Sequence, residues 1–225
     1  MDLIRPSDTQ CAHIMFKNVH EMLDVRGYDV DKENIQISLH DFVERFGKHP
    51  NKRQMTLVYE KRESVADRPF ASSGSDDTDE GPIVVVFSAE KRNIGVGAVR
   101  ELVQLMHECD SQNAILIVQK GVTAAANTAL RQLTSQVRIQ IFPENEMLCI
   151  SDIIHHERGK QYTVLTRDEK EALLARYGCK DVSKLPRFAP SDPIVRYYGL
   201  RRGQVLKIVR PSETAGRYTN YRYVP

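Results

Sequence analysis

The chain reads as an α/β N-terminal domain followed by a small α+β C-terminal domain. Three observations carry that reading. Apolar runs of strand length alternate with helical periods of about ten or more residues through residue 150. Charge is split along the chain: residues 176–225 hold 11 of the 32 Lys and Arg but only 3 of the 30 Asp and Glu, a net of +8 against −6 for the rest. The polar stretch His155–Thr163 (HHERGKQYT) reads as a linker between the two. The expected organisation is thus a domain over 1–150, a linker over 151–165 and a domain over 166–225.

The elements follow in order. From Gln10 to Arg26, Ile14, Met15, Val19, Met22, Leu23 and Val25 recur at a helical period, and Gly27 suits the residue just past a helix end. A second helix is expected over Ser38–Phe46, with Phe42, Val43 and Phe46 on one face and Gly47 as its stop. Met55–Glu60 reads as a strand. Residues 61–82, with ASSGSDDTDEGP at their core, are polar, acidic and rich in turn formers, the composition of a flexible surface insert. Ile83–Ser88 (IVVVFS) is a continuous apolar run, as in a strand covered on both faces. A helix is expected over Val96–Cys109, with Val99, Leu102, Val103 and Met106 inward, then a buried strand over Ala114–Gln119. An Ala-rich helix over Thr123–Ser135 and an alternating strand over Val137–Phe142 come next, with one more short strand at Met147–Ile150.

In the C-terminal domain, Thr166-Arg-Asp-Glu169 has the spacing of a capping box, and its helix closes at Tyr177 before Gly178. Ser191-Asp-Pro193 opens a short helix. Val205, Leu206, Ile208 and Val209 form a buried strand, and Gly199, Gly203 and Gly216 mark turns.

Several function classes are excluded. No apolar run approaches the ~20 residues of a membrane span. Cys11, Cys109, Cys149 and Cys179 contain no CxxC pair and read as free thiols of a reducing compartment, and no targeting pattern marks the N-terminus. Walker A, GxSxG, HExxH and Glu-x-Lys patterns are all missing, so the expectation is a non-enzyme without cofactor, metal or small-molecule substrate. His155-His156-Glu157 is no exception, because adjacent residues on an extended segment point to opposite sides.

Two places look built for contact. Ser191–Pro225 carries seven Arg or Lys against two acidic residues, interleaved with five Tyr. A folded basic terminus of this kind docks on nucleic acid or on an acidic protein groove. Arg and Tyr are enriched in protein interface cores, which favours the protein. The second place is Lys120-Gly121-Val122-Thr123, which follows a strand and opens a helix. Free helix N-terminal amides and the Lys120 charge can hold phosphate there; the alternative is a plain β–α turn.

The C-terminal run carries a resemblance. LLARYG (173–178), KLPRF (184–188), DPIVRYYGLRRGQVLKIVRPSETAGRY (192–218) and YRYV (221–224) closely resemble the fifth common subunit of eukaryotic nuclear RNA polymerases. One of the archaeal polymerase subunits is similar to this domain alone. Upstream, RGY (26–28), FGKHP (46–50), NIGVGAV (93–99) and AILIVQKGVT (114–123) look like the eukaryotic subunit's N-terminal jaw domain, in the same order. The chain departs from the family's usual pattern in three places. Its insert at 61–82 is longer and more acidic, Arg158-Gly159-Lys160 stands where Leu-Val-Pro is usual, and Val122–Ala126 replaces Met-Thr-Pro-Ser-Ala.

The resemblance implies a non-catalytic structural subunit of DNA-directed nuclear RNA polymerase, with an α/β jaw domain and an α+β assembly domain. The assembly domain would dock on the largest subunit, with Arg196, Tyr197, Arg201, Arg202, Lys207, Arg210, Arg217, Tyr218 and Arg222 as candidate contacts. The jaw would lie beside downstream duplex DNA, touched without regard to sequence at Lys120 and Thr123. Location would be the nucleus, or the nucleolus for polymerase I. Which of polymerases I, II and III is served stays open. The rival reading is a free-standing regulator that binds nucleic acid or a transcription factor.

Overall fold

Two sheets, one mostly parallel and one antiparallel, organise the two halves of the chain. The structure, a computed structural model, describes residues 7–62, 81–90, 92–133, 137–156, 161–212, 214 and 216–225. The flexible insert expected over 61–82 therefore lies, at 63–80, outside the described residues. The chain divides into two compact units, one running through Cys149 and one from Ile150 to Pro225 that also takes in Val25–Gly27.

The first unit begins with α1 (Asp8–Val25), closed by Gly27 at φ 86°. Short α2 (Lys32–Ile35) and α3 (Leu39–Phe46) follow. Ser38 caps α3 by accepting from the Asp41 amide at 3.2 Å. Phe42 and Phe46 of α3 pack edge-on against Phe16 of α1, with ring centroids 5.6 and 5.4 Å away. The strand expected over Met55–Glu60 is shorter: Lys52–Met55 is a 3-10 turn that Asn51 caps, and β1 is Leu57–Tyr59.

β1 pairs antiparallel with β2 (Ile83–Phe87), and β2, β3 (Asn113–Val118) and β4 (Arg138–Pro143) run parallel in the order β1-β2-β3-β4. The crossover helices are α4 (Val96–Glu108) and α5 (Ala124–Leu133). Both crossovers step the same way across the sheet, so both helices share one face. Val99, Leu102 and Met106 of α4 and Ala126 of α5 there bury Val84, Ala114, Leu116 and Val118. The alternate strand residues Val85, Phe87, Ile115 and Ile117 are equally buried, so the sheet is covered on both sides. That double burial is why these strands read as unbroken apolar runs.

α6 (Glu144–His156) corrects two expectations. Met147–Ile150 is helical, with Glu144 and Glu146 in the first turn, where carboxylates favour a helix N-terminus. Met147 and Ile150, both fully buried, are spaced i, i+3, a period that a four-residue window cannot separate from a strand. The same helix takes up 151–156, and β5 (Gln161–Val164) takes up four more residues of the expected linker. The buried–exposed alternation of β5, with Tyr162 and Val164 inward, is the strand signal hidden in that polar stretch. Residues 157–160, including Glu157 of the His-His-Glu run, lie outside the described residues.

The second unit is a three-stranded antiparallel sheet, β5-β6-β7, with β6 at Val205–Ser212 and β7 at Gly216–Tyr223. α7 (Arg167–Arg176) opens on a complete capping box: Thr166 Oγ1 accepts from the Glu169 amide, and Glu169 accepts from the Thr166 amide. Leu173 from this helix and Leu185 pack with Val205 and Tyr223. The other sheet face buries Tyr162, Val164, Leu206 and Ile208 under Phe188, Val195 and Leu200. Val195 comes from α8 (Pro193–Tyr197), whose N-cap Asp192 accepts from the Ile194 amide at 2.9 Å. At the other end of α8, Arg26 Nε donates to Tyr197 O at 2.9 Å and Nη2 donates to Arg196 O at 2.6 Å. These bonds add a side-chain donor to the last carbonyls of α8, of which that of Arg196 also accepts from the Gly199 amide at 3.1 Å.

Candidate functional site

Antiparallel register sorts the basic and aromatic residues of the C-terminal run. Across β6 and β7 the direct partners are Leu206 with Arg222, Ile208 with Asn220, and Arg210 with Tyr218. Strand side chains alternate, so these six share one face, along with Tyr162 of β5, the partner of Ile208. Lys207, opposite Tyr221, falls on the other face, and Arg217 sits near the hairpin tip opposite Pro211. Arg196 and Tyr197 belong to α8, and Arg201 and Arg202 to the turn before β6. The nine candidate contacts therefore do not form one surface.

Tyr197 departs most from expectation. It is 1% exposed and among the largest fully buried side chains, so it packs the unit's interior and is no docking contact in this conformation. Its ring meets Tyr198 edge-on at 5.1 Å. Tyr221 and Tyr223 likewise share the face that packs toward α7, whereas Tyr218 is 46% exposed. Arg202, Arg210 and Arg217 are exposed, and Arg196, Arg201, Lys207 and Arg222 are half-buried.

Arg210, Tyr218, Asn220 and Arg222 line a cleft of about 300 Å³, together with Tyr162, Phe188, Asp192, Ile194 and Ile208. The Arg210 guanidinium carbon stands 4.9 Å from the Tyr218 ring centroid, and that of Arg222 stands 5.1 Å from Phe188. Sequence reasoning missed Tyr162, Phe188 and Asn220. The period-2 spacing of residues 218, 220 and 222 would have revealed Asn220 had the terminus been read as a strand.

The turn at Lys120 is tied down from below. Ile94 bridges to Val122: its amide donates to Gly121 O at 2.9 Å, and its carbonyl accepts from the Thr123 amide at 3.0 Å. Thr123 Oγ1 accepts from the Ala126 amide at 3.3 Å, which makes Thr123 the cap of α5. The amides of Thr123 and Ala126 are thus already engaged, while the Lys120 side chain is exposed. The two expected DNA-proximal residues have different local jobs.

The strongest electrostatic perturbation lies in the interior. His20 is fully buried, and burial lowers its pKa from 6.5 to about 4. Its Nδ1 is 2.6 Å from Phe16 O, which can only accept, so Nδ1 carries the proton. Nε2 then accepts from the Tyr59 hydroxyl at 2.8 Å. Burial in turn raises the pKa of Tyr59. This pair joins α1 to β1, with the imidazole fully buried and the Tyr59 side half-buried. One grouping among the described residues, His40, Asp41 and Glu44, has ligand atoms close enough for a metal ion. All three are exposed, and Asp41 already accepts from Ser38 Oγ at 2.7 Å as part of the α3 cap.

Comparison with known proteins is consistent along the chain. The family model described as RNA polymerase Rpb5, N-terminal domain, matches residues 8–106, and RNA polymerase Rpb5, C-terminal domain, matches residues 151–224. Lys120 and Thr123 lie between the two matched stretches. A Caenorhabditis briggsae protein named DNA-directed RNA polymerases I, II, and III subunit RPABC1 is 38% identical over 213 residues, 92% of each chain. The Dictyostelium discoideum protein of the same name is 41% identical over 62% of this chain and 70% of its own. An Arabidopsis thaliana protein named DNA-directed RNA polymerase subunit 5-like protein 1 is 31% identical, again over 92% of each chain.

Proposed function

The chain belongs to the RNA polymerase Rpb5 family, and from that membership we propose that it works as a non-catalytic subunit of nuclear DNA-directed RNA polymerase. The observation that carries this is the two Rpb5 domains matched in order, with a relative 38% identical over 92% of the chain. Relatives named as subunits of polymerases I, II and III support a nuclear location, with the nucleolus included where polymerase I is served.

The second unit docks on the largest subunit, and the first forms part of the lower jaw beside downstream DNA. Supporting the docking half is the concentration of exposed and half-buried Arg on this small unit. Such residues act as anchors once a partner desolvates them. Supporting the jaw half is the exposed Lys120 on a turn held rigid by Ile94 and Thr123. A charge displayed this way meets phosphate without reading bases.

Co-elution tests the reading. Tagged chain from nuclear extract should leave a sizing column with the multi-subunit polymerase. Elution as a free chain, at normal expression, would favour a regulator that works outside the enzyme.

A further inference from the structure

The cleft on the sheet of the second unit joins an arginine with one unpaired buried donor to a concave, partly aromatic-walled space. Arg222 Nε is buried and has no hydrogen-bond partner among the described residues. Leaving such a donor unpaired costs roughly 1–3 kcal/mol, more for a charged group. The Phe188 ring beside its guanidinium offers a π-face but no oxygen acceptor. Asp192, the carboxylate among the lining residues, already caps α8 through Oδ1. An acceptor that arrives from outside would complete the site.

We propose that this cleft receives a carboxylate, the Asp or Glu side chain of an extended acidic segment of the polypeptide on which the second unit docks. Arg222 takes the carboxylate and Arg210 flanks it. The inference rests on the docking reading above and gives that reading its chemistry. Size and lining favour this occupant. A volume of about 300 Å³ holds one or two side chains, and a lining more polar than apolar, with Tyr162, Phe188, Ile194 and Ile208 as its apolar part, suits a charged side chain. In such a setting a guanidinium–carboxylate pair is strong and directional. A nucleic-acid track would instead need a positively charged groove following successive phosphates. Here the second cation, Arg210, is held over Tyr218.

The test uses the full chain, labelled with nitrogen-15 at arginine. The Arg222 Nε–H resonance is identified by its loss in Arg222→Lys. Titration with acetyl-Gly-Glu-Gly-amide should shift it, and the matching Gln peptide should not. No shift with the Glu peptide overturns the proposal, as does a larger shift with inorganic phosphate or a short DNA duplex. A second measurement is made in the assembled polymerase. Asn220→Asp is nearly isosteric and puts a rival carboxylate on the same strand face, two residues from Arg222. Recovery of the largest subunit should fall about tenfold, the equivalent of 1.4 kcal/mol, with the melting temperature of the free chain not lowered. Full recovery with Asn220→Asp, where removing residues 184–225 abolishes it, overturns the carboxylate cleft and leaves the docking reading standing. Undiminished recovery after that removal overturns both.

Discussion

Arg210 and Tyr218 are direct partners across the β6–β7 hairpin, and the Arg210 guanidinium lies over the exposed Tyr218 ring, 4.9 Å from its centroid. The pair keeps a cation and an aromatic ring together on an open face, an arrangement suited to a partner more than to the chain's own core. Tyr218→Ala should therefore cost the free chain little, about 0.5–1 kcal/mol in urea unfolding, the worth of an exposed cation–π contact. Its effect on recovery of the largest subunit should be larger than that. Equal effects would mean that the ring serves stability alone.

His20 makes the first unit acid-sensitive. Its folded pKa of about 4 lies below the ordinary 6.5, so between those values the unfolded chain binds the proton and the native chain does not. Stability is then full above about pH 6.5 and falls as the pH drops toward 4, by up to about 3 kcal/mol from this group. His20→Gln removes the titration while keeping polar groups near Phe16 O and Tyr59. Urea unfolding across that range should show a shallower pH slope for the variant. An unchanged slope would assign the acid lability to other residues.

Lys120 and Thr123 should separate experimentally. Lys120→Ala should leave the melting temperature alone and weaken downstream DNA equally for all sequences, with the salt slope reduced by about one unit. Thr123→Ala removes the α5 cap, at a cost of about 1 kcal/mol, and should leave the salt slope as it was. Dissociation of elongation complexes against salt, beside thermal melts, measures both. Overlapping salt curves for Lys120→Ala and wild type would remove DNA from the role of this turn.

Gly199 sits at φ 63°, and a Cβ there would come within 3.2 Å of the Arg26 guanidinium carbon. Gly199→Ala should lose about 1–2 kcal/mol from the left-handed backbone alone. It should lose more if Arg26 is pushed from the carbonyls of Arg196 and Tyr197. Gly203→Ala, at φ 82° with open space around it, should pay only the backbone part. Equal losses in chemical denaturation would show that Arg26 moves aside freely.

Much of the fold was legible because local chemistry and burial agree. The capping box at Thr166–Glu169, the stop at Gly178, and the apolar runs at Ile83 and Ala114 each signal their own element. The misreadings fall where a signal is shorter than one period. Met147 and Ile150 show helical spacing only within the full length of α6, and Tyr162 and Val164 are two inward residues in a polar stretch. The candidate site was legible in composition and not in geometry. Arg and Tyr announce contact, but only the register of β6 with β7 groups Arg210, Tyr218, Asn220 and Arg222 and sends Lys207 to the other face. Tyr197 looks like its neighbours in sequence, and three-dimensional packing alone makes it core.

Cross-linking of intact polymerase that contains the full chain tests the docking claim most directly. Lysine-specific cross-links to the largest subunit should come from the second unit, at Lys184 and Lys207, and should outnumber those from Lys17, Lys32 and Lys48 of the first. The Arg222→Leu chain should lose the second-unit cross-links. Cross-links to the largest subunit that arise only from the first unit, or that persist unchanged in Arg222→Leu, would contradict docking through the Arg- and Tyr-bearing sheet.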